Sequence, residues 1–324
     1  MERAVDGRRS GLTVGVRAVV VSRTGGPEVL EVVERPEPVA GPGEVVVDVE
    51  AAGVNFIDVY HREGRYPREL PFVLGSEGAG TVRGTGERVA WAVVPGAGYA
   101  DAVVVPEDRL VPVPDGVALA DAAAVLLQGM TAQFLAEVAS PGDTAVVHAA
   151  AGGVGLLLVQ LLADAGVRVV ATTSPEKAEL ARGAGASDVV AYDEVVERVR
   201  EVTEGRGAQV VYDGVGRATF DSSLACAARH GSVVLFGAAS GPVPPLDPLV
   251  LMSHGSLWLT RPTLGDFVAE RADLLHRAGE VLGRVRDGRL SVRVGGTYAL
   301  EDAQRAHEDL EGRRSTGKLL VLPR

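Results

Sequence analysis

Residues 144–160, TAVVHAAAGGVGLLLVQ, carry the most specific chemical signal in the chain. A β-branched apolar run meets the small-residue turn Ala151, Gly152, Gly153, Val154 and Gly155, and an apolar helical stretch follows at once. Such a turn leaves backbone N–H groups free at the positive end of a helix dipole, which makes an anion site. Gly152 allows the backbone to approach a pyrophosphate closely, and Gly155 allows the helix to pack against the strand. Ala150 stands at the first glycine of the usual G-x-G-x-x-G, so the motif reads A-x-G-x-x-G. Taken alone, these residues also fit a turn kept only for packing.

Which nucleotide such a turn would hold depends on the end of the next strand. Residues 171–174 read ATTS and contain no acid. NAD-specific folds place Asp or Glu there to bind the ribose 2′-hydroxyl, so a 2′-phosphate meets no like charge here. Ser174 precedes Pro175, which reads as a helix start with Ser as N-cap and Pro at the first helical position. Lys177 follows one turn later. Simple capping accounts for Ser174 equally well, and a solvated surface lysine is the alternative for Lys177.

Two textures must position these residues. From residue 16 to about 114, short β-rich runs are broken by Gly and Pro, as expected of a compact barrel-like domain. The first strand is expected at 17–22, with helices at 119–128 and 131–138. From residue 143, apolar strands (145–149, 167–173, 188–192, 209–214, 232–237) alternate with helical stretches (154–165, 175–184, 195–203, 218–228). That alternation calls for a parallel sheet covered on both faces, with right-handed crossovers. Residues 256–260, SLWLT, read as one more strand, and a helix is expected over 264–286. The tail from 293 reads strand, helix, strand and resembles the first domain in texture. Gln128 and Gly129 mark either a flexible junction or a plain helix break.

Composition removes several classes. The net charge of −11 over 324 residues argues against a broad nucleic-acid face, which needs clustered Lys and Arg. Cys226, the only cysteine, excludes an internal disulfide and a four-cysteine zinc site. It is expected to be an inert core residue. His148 reads as buried packing, whereas His230, His276 and His307 look peripheral. No apolar run approaches a membrane span. Residues 1–14 lack the apolar core of a secretory signal and are expected to be a disordered tail or an upstream extension. A reducing cytoplasm is the simplest compartment.

Several separated motifs occur in one order: NFIDVYHREGRYP (55–67), LGSEGAG (74–80), HAAAGGVG (148–155) with Gln160, VVYDGVGR (210–217), VLFGAASG (234–241), SLWLTRP (256–262) and DAQRAHEDLEGRRSTGK (302–318). Together they resemble the zeta-crystallin-like quinone oxidoreductases of the medium-chain dehydrogenase/reductase superfamily. The resemblance implies an α/β fold: a Rossmann doubly wound parallel sheet (129–268) plus a discontinuous GroES-like β-rich catalytic domain (15–128 and 269–324). It implies NADPH as hydride donor, a quinone or other conjugated carbonyl compound as acceptor, and a homodimer. SLWLT, as an exposed edge strand, would serve the dimer; an ordinary inner strand is the alternative. The segment GTVRGTGERV is shorter than the family's usual connection, which leaves the local strand pairing open.

The resemblance also implies roles. Asn55 and Thr131 would lie near the nicotinamide, and Tyr60 and Tyr66 around the acceptor pocket, with Asp58 organising the loop. The turn residues 151–155, Ser174, Lys177, Tyr192, Phe236, Gly237 and Lys318 would bind the cofactor. Asn55 as a turn residue and the tyrosines as half-buried packing residues are the competing readings. Zinc-dependent relatives carry a Cys in the region of Asn55 and Gly-His-Glu where this chain has Gly75-Ser76-Glu77. Catalytic zinc takes about three protein ligands, and Glu77 with nearby His61 makes a poor set, so no metal is expected. Hydride transfer to an electron-poor acceptor then needs alignment and a hydrogen-bond donor or proton. Two other functions share these features: an NADPH-dependent enoyl or alkenal reductase, and a non-enzymatic NADPH-linked nucleic-acid-binding protein. The acidic charge weighs against the second.

Overall fold

The computed structural model describes residues 15–323. The expectation for residues 1–14 lies outside the described residues. Six parallel strands form one sheet in the spatial order Asp188–Val190, Arg168–Thr172, Thr144–Val147, Ala208–Asp213, Ala227–Leu235 and Trp258–Thr260. Numbered along the chain the order is 3-2-1-4-5-6, a doubly wound sheet whose direction of winding reverses beside Thr144–Val147. Val146 and Val147, buried on opposite faces, explain why this run alternates less than a one-sided strand would.

A second, mostly antiparallel sheet contains Val294–Ala299, Lys318–Leu322, Glu44–Val54, Glu77–Val82, Arg88–Ala92 and Val111–Pro112, with Ala102–Pro106 also paired to Glu44–Val54. The tail does return to the first region: Leu319, Leu320 and Val321 pair with Val54, Gly53 and Ala52. A third sheet flanks Val16–Val21 with Leu30–Arg35 and Phe72–Val73. The shortened segment forms a regular hairpin, pairing Thr81 with Arg88 through Glu77 with Ala92. Gly84 and Gly86, at φ 95° and 76°, supply the turn that the short connection requires.

Three helical expectations need correction. The two helices placed on either side of Gly129 are one helix, Leu119–Ala136. Gly129 is a packing site and not a break, because a Cβ there would lie 2.5 Å from Val281 Cγ1 on the helix Arg271–Arg286. The helix Leu119–Ala136 packs against strands of the second sheet and against the helix Gly153–Asp164, and by length and apolarity alone it could cross a membrane. Its apolar surface is spent in the largest core cluster, with Leu126, Met130 and Leu135 fully buried. The stretch 264–286 is two helices, Leu264–Phe267 and Arg271–Arg286. The stretch 175–184 opens as a 3-10 turn, Pro175–Lys177, before the α-helix Ala178–Gly183.

Candidate active site

The glycine turn sits at the carboxyl end of Thr144–Val147, beside the switch point, where open α/β sheets bind ligands. The helix Gly153–Asp164 starts there, with its N-terminus at this end of the sheet. Ala149 takes φ 53°, bending the chain out of the strand. Gly155 has no alternative: a Cβ would lie 2.4 Å from the Ala149 carbonyl oxygen. The last strand reaches across to this turn. Gly317 N–H donates to the Ala151 carbonyl at 3.0 Å, and Gly317 bridges Gly152.

At the end of the second sheet strand, the expected Ser174 cap is not formed. Pro175 has no N–H to offer, and the Glu176 carboxylate is held below its ordinary range first by its own backbone N–H and then by the Ser174 hydroxyl. Lys177 Nζ donates to the carbonyls of Arg313 and Ser315, at 2.5 and 2.7 Å. Burial lowers its pKa. Tyr192 is partly exposed and stacks on His148, with centroids 6.1 Å apart and planes 12° from parallel. Burial raises the Tyr192 phenol, and the Arg313 charge opposes that rise. Arg313 thus stands beside both Lys177 and Tyr192. The sequence motifs do not single it out, though GRRSTGK holds the signal: two arginines just before a glycine that touches the nucleotide turn. His148 is fully buried, as expected, with Nδ1 2.9 Å from Thr172 Oγ1.

At the other end, Asn55 begins the helix Phe56–Arg62 and joins four groups. Its Nδ2 donates to Glu77 Oε1 at 2.8 Å and to the Gly53 carbonyl at 3.2 Å. Its Oδ1 accepts from Lys318 Nζ at 2.8 Å and from Gln128 Nε2. Lys318 is also ion-paired with Glu77, both side chains being almost fully buried. Burial lowers the Lys318 pKa while Glu77 opposes the shift. Asp58 organises the loop as expected: Asn55 N–H, Ser76 Oγ–H and Tyr99 O–H all donate to its carboxylate. Desolvation nevertheless raises Asp58 to about 7, against the pull of Lys318. Thr131 spends its hydroxyl on the Leu127 carbonyl at 2.7 Å.

His307 is not peripheral. It is fully buried between Arg62 Nη1, 3.1 Å from its Nδ1, and the Tyr99 hydroxyl, 3.3 Å from its Nε2. Burial and then the Arg62 charge hold its pKa down to about 3, so the ring is neutral. Arg62 donates to His307 and to Glu311, and Tyr99 carries the chain on to Asp58. The spacing of His307 on a polar-looking helix hid this contact, which forms only when residues 245 positions apart meet.

Tyr60 and Tyr66 meet edge to face at 5.4 Å. Tyr60 is buried, and its hydroxyl accepts the Ala238 N–H at 3.1 Å, bridging the first region to the loop after Ala227–Leu235. Tyr66 is exposed. Phe236 and Gly237 pack on Gly214, where a Cβ at Gly237 would come within 2.3 Å of the Gly214 carbonyl oxygen. Cys226, at the end of the helix Phe220–Cys226, is buried, which pushes its thiol up to about 12.

The residue types fit a phosphorylated dinucleotide: an open helix N-terminus, no acid on the second strand's end, and Lys177 with Arg313 beside it. They do not fit zinc. Asn55 and Ser76 are not zinc ligands, Glu77 is neutralised by Lys318, and no group of three His, Cys, Asp or Glu side chains with metal-binding geometry occurs among the described residues.

Residues 41–115 match the family described as alcohol dehydrogenase GroES-like domain, and residues 153–274 match the zinc-binding dehydrogenase family. A quinone oxidoreductase of Pseudomonas aeruginosa is 43% identical over 92% of this chain and 97% of its own length. A 2-haloacrylate reductase of a Burkholderia species is 36% identical over 95% and 99%. Among solved structures, mycobacterial Rv1454c complexed with NADPH superposes with a TM-score of 0.92 at 47% identity, over 95% of this chain and 100% of that one. Escherichia coli quinone oxidoreductase complexed with NADPH gives 0.91 at 37%, with the same coverage.

Proposed function

The chain belongs to the quinone oxidoreductases of the medium-chain dehydrogenase/reductase superfamily, and from that premise we propose that it reduces quinones with NADPH, without zinc. The observation that carries this reading is that one stretch of the last strand joins the two candidate regions: Gly317 bonds Ala151 of the glycine turn, and the next residue, Lys318, bonds Asn55. On one side of that junction is the glycine turn with Lys177 near it, and on the other are Asn55, held by Lys318 and Glu77, and Tyr60. Two NADPH-bound structures of relatives support the cofactor.

NADPH, when bound, supplies the hydride. The turn at residues 151–155 receives the pyrophosphate through N–H groups other than that of Gly152, which donates to the Ala149 carbonyl at 2.9 Å. Ser174, Lys177, Tyr192 and Arg313 hold the adenosine end, with Lys177 giving up the two carbonyls it now holds. Phe236 and Gly237 wall the crevice. Asn55, fixed by Lys318 and Glu77, aligns the nicotinamide side with Thr131. Tyr60 and Tyr66 frame the acceptor; a quinone oxygen gains negative charge on reduction, and the Tyr60 hydroxyl offers it a donor.

The test is substrate-dependent NADPH oxidation by purified protein. Turnover is expected with 1,4-benzoquinone or 9,10-phenanthrenequinone and much slower oxidation with NADH. Equal efficiency with both coenzymes would refute the cofactor choice. The 2-haloacrylate reductase among the relatives favours a second reading, reduction of an alkene conjugated to a carbonyl. Faster turnover of 2-alkenals, crotonyl thioesters or 2-haloacrylates than of quinones would establish it.

The protein acts as a cytoplasmic homodimer in this reading. Trp258–Thr260 is the edge of its sheet, with Trp258 72% exposed and Leu249 and Met252 exposed beside it in sequence. An apolar strand edge of this kind pairs with a second copy. A sedimentation mass near the 33.6 kDa of one chain would contradict the dimer.

A further inference from the structure

Gln128 lies on the long core helix, almost fully buried, and its Oε1 has no hydrogen-bond partner among the described residues. The orientation of its amide is fixed from outside. Lys318 Nζ can only donate, so the Asn55 atom it meets is the oxygen, Oδ1. Asn55 Nδ2 then faces Glu77, as a carboxylate requires. Gln128 must accordingly present its Nε2 to Asn55 Oδ1. Turning the amide over would set oxygen against oxygen. Oε1 is left as a buried acceptor, a costly state in a protein interior unless some donor completes it.

The position of this acceptor says what that donor belongs to. Gln128 Cγ lies 3.4 Å from where a Cβ on Gly153 would stand, directly against the first residue of the glycine-turn helix. Its amide touches Asn55 on the other side. Gln128 therefore spans from the glycine turn to Asn55, and in the coenzyme reading above the nucleoside between pyrophosphate and nicotinamide would lie along that stretch.

We infer that Gln128 Oε1 is a coenzyme-recognition site that accepts a hydrogen bond from the nicotinamide nucleoside, through a ribose hydroxyl or the carboxamide NH2. The assignment rests on the coenzyme reading above. It makes Gln128 a binding residue whose amide is aimed by the Glu77–Lys318 pair through Asn55.

The test uses the full chain and the variant Gln128→Met, which keeps length and volume but no polar atom. NADPH binding is followed by nucleotide fluorescence. Adenosine 2′,5′-bisphosphate, which has the phosphorylated adenosine end and no nicotinamide nucleoside, is titrated in parallel. The variant should bind NADPH roughly 10-fold more weakly and the bisphosphate as the parent does. Two analogues locate the donor: reduced 3-acetylpyridine adenine dinucleotide phosphate, which lacks the NH2, and NADPH with a deoxyribose on the nicotinamide side. The parent should discriminate against one of them by about 10-fold, and Gln128→Met should not. Unchanged NADPH affinity in the variant overturns the assignment alone, as does an equal loss for the bisphosphate or a parent indifferent to both analogues. A parent that binds neither NADPH nor the bisphosphate overturns the coenzyme reading and this assignment together.

Discussion

Lys318, the first residue of the last strand, is ion-paired with Glu77, 241 residues earlier in the chain, and neither side chain reaches solvent. The pair is completed by Asn55, which binds both partners, and by the Leu127 N–H, which donates to Glu77 Oε2 at 3.2 Å. Gly53 makes the room: a Cβ there would lie 2.1 Å from Glu77 Oε1 and 2.6 Å from Lys318 Cε. The lysine ammonium therefore neutralises the one carboxylate of the Gly75-Ser76-Glu77 segment.

A buried pair of this kind is costly to break and cheap to replace as a unit. Glu77→Gln and Lys318→Met should each destabilise the protein by about 3–5 kcal/mol, since each strands the partner's charge. The double variant should lose far less than the sum. Denaturant unfolding of all four proteins measures the coupling. Additive losses would show that the two charges do not depend on each other.

Asp58 makes stability depend on pH. Its carboxyl is raised from the ordinary 3.8 to about 7, chiefly by desolvation, with Glu77 adding to the rise and Lys318 opposing it. Between those values the native state holds a proton that the unfolded state has lost, so stability falls as pH rises through that window and levels off above it. The loss is at most about 4 kcal/mol, because each pH unit across the window is worth about 1.4 kcal/mol. Asp58→Asn cannot ionise and should lack this slope. Thermal midpoints from pH 5 to 8 should show the parent declining relative to the variant. Parallel curves would mean that Asp58 is ionised throughout.

The doubly wound sheet was legible in the sequence because short apolar strand runs alternate with helical stretches after residue 143, and because Gly152 and Gly155 punctuate one strand–helix junction. The return of the tail was legible from texture, with Leu319–Val321 as apolar as the first strands. What stayed hidden was long-range. Gly129 read as a break because local propensity disfavours glycine in a helix, whereas the neighbour that demands it, Val281, is 152 positions away. His307 and Gln128 carry no local pattern; their partners Tyr99 and Asn55 come from other elements. Ser174 followed the capping rule in sequence, yet Glu176 took its hydroxyl.

In the proposed reading, coenzyme choice turns on Lys177. Its ammonium binds the carbonyls of Arg313 and Ser315, and in that reading it exchanges them for phosphate oxygens. Lys177→Ala should lower kcat/KM for NADPH by about 10- to 100-fold, the worth of a hydrogen bond between charged groups, and leave NADH nearly unaffected. Steady-state kinetics with both coenzymes checks this. A parallel loss with NADH would assign Lys177 to holding the 313–315 segment instead.

Gly129→Ala separates packing from hinge motion on the core helix. Alanine is the better helix former by about 1 kcal/mol, so the helix Leu119–Ala136 itself would gain. The new methyl, however, would lie 2.5 Å from Val281 Cγ1 and 3.2 Å from Val125 Cγ2. Overpacking of that degree typically costs about 1–3 kcal/mol, so the net change should be a modest destabilisation. Val281→Ala introduced alongside removes the methyl in the way and should return most of the loss, giving a coupling between sites 152 positions apart. NADPH affinity should stay as in the parent throughout. If Gly129→Ala left the unfolding midpoint unchanged and altered coenzyme affinity or kcat, the glycine would be serving movement of the crevice and not the contact between two helices.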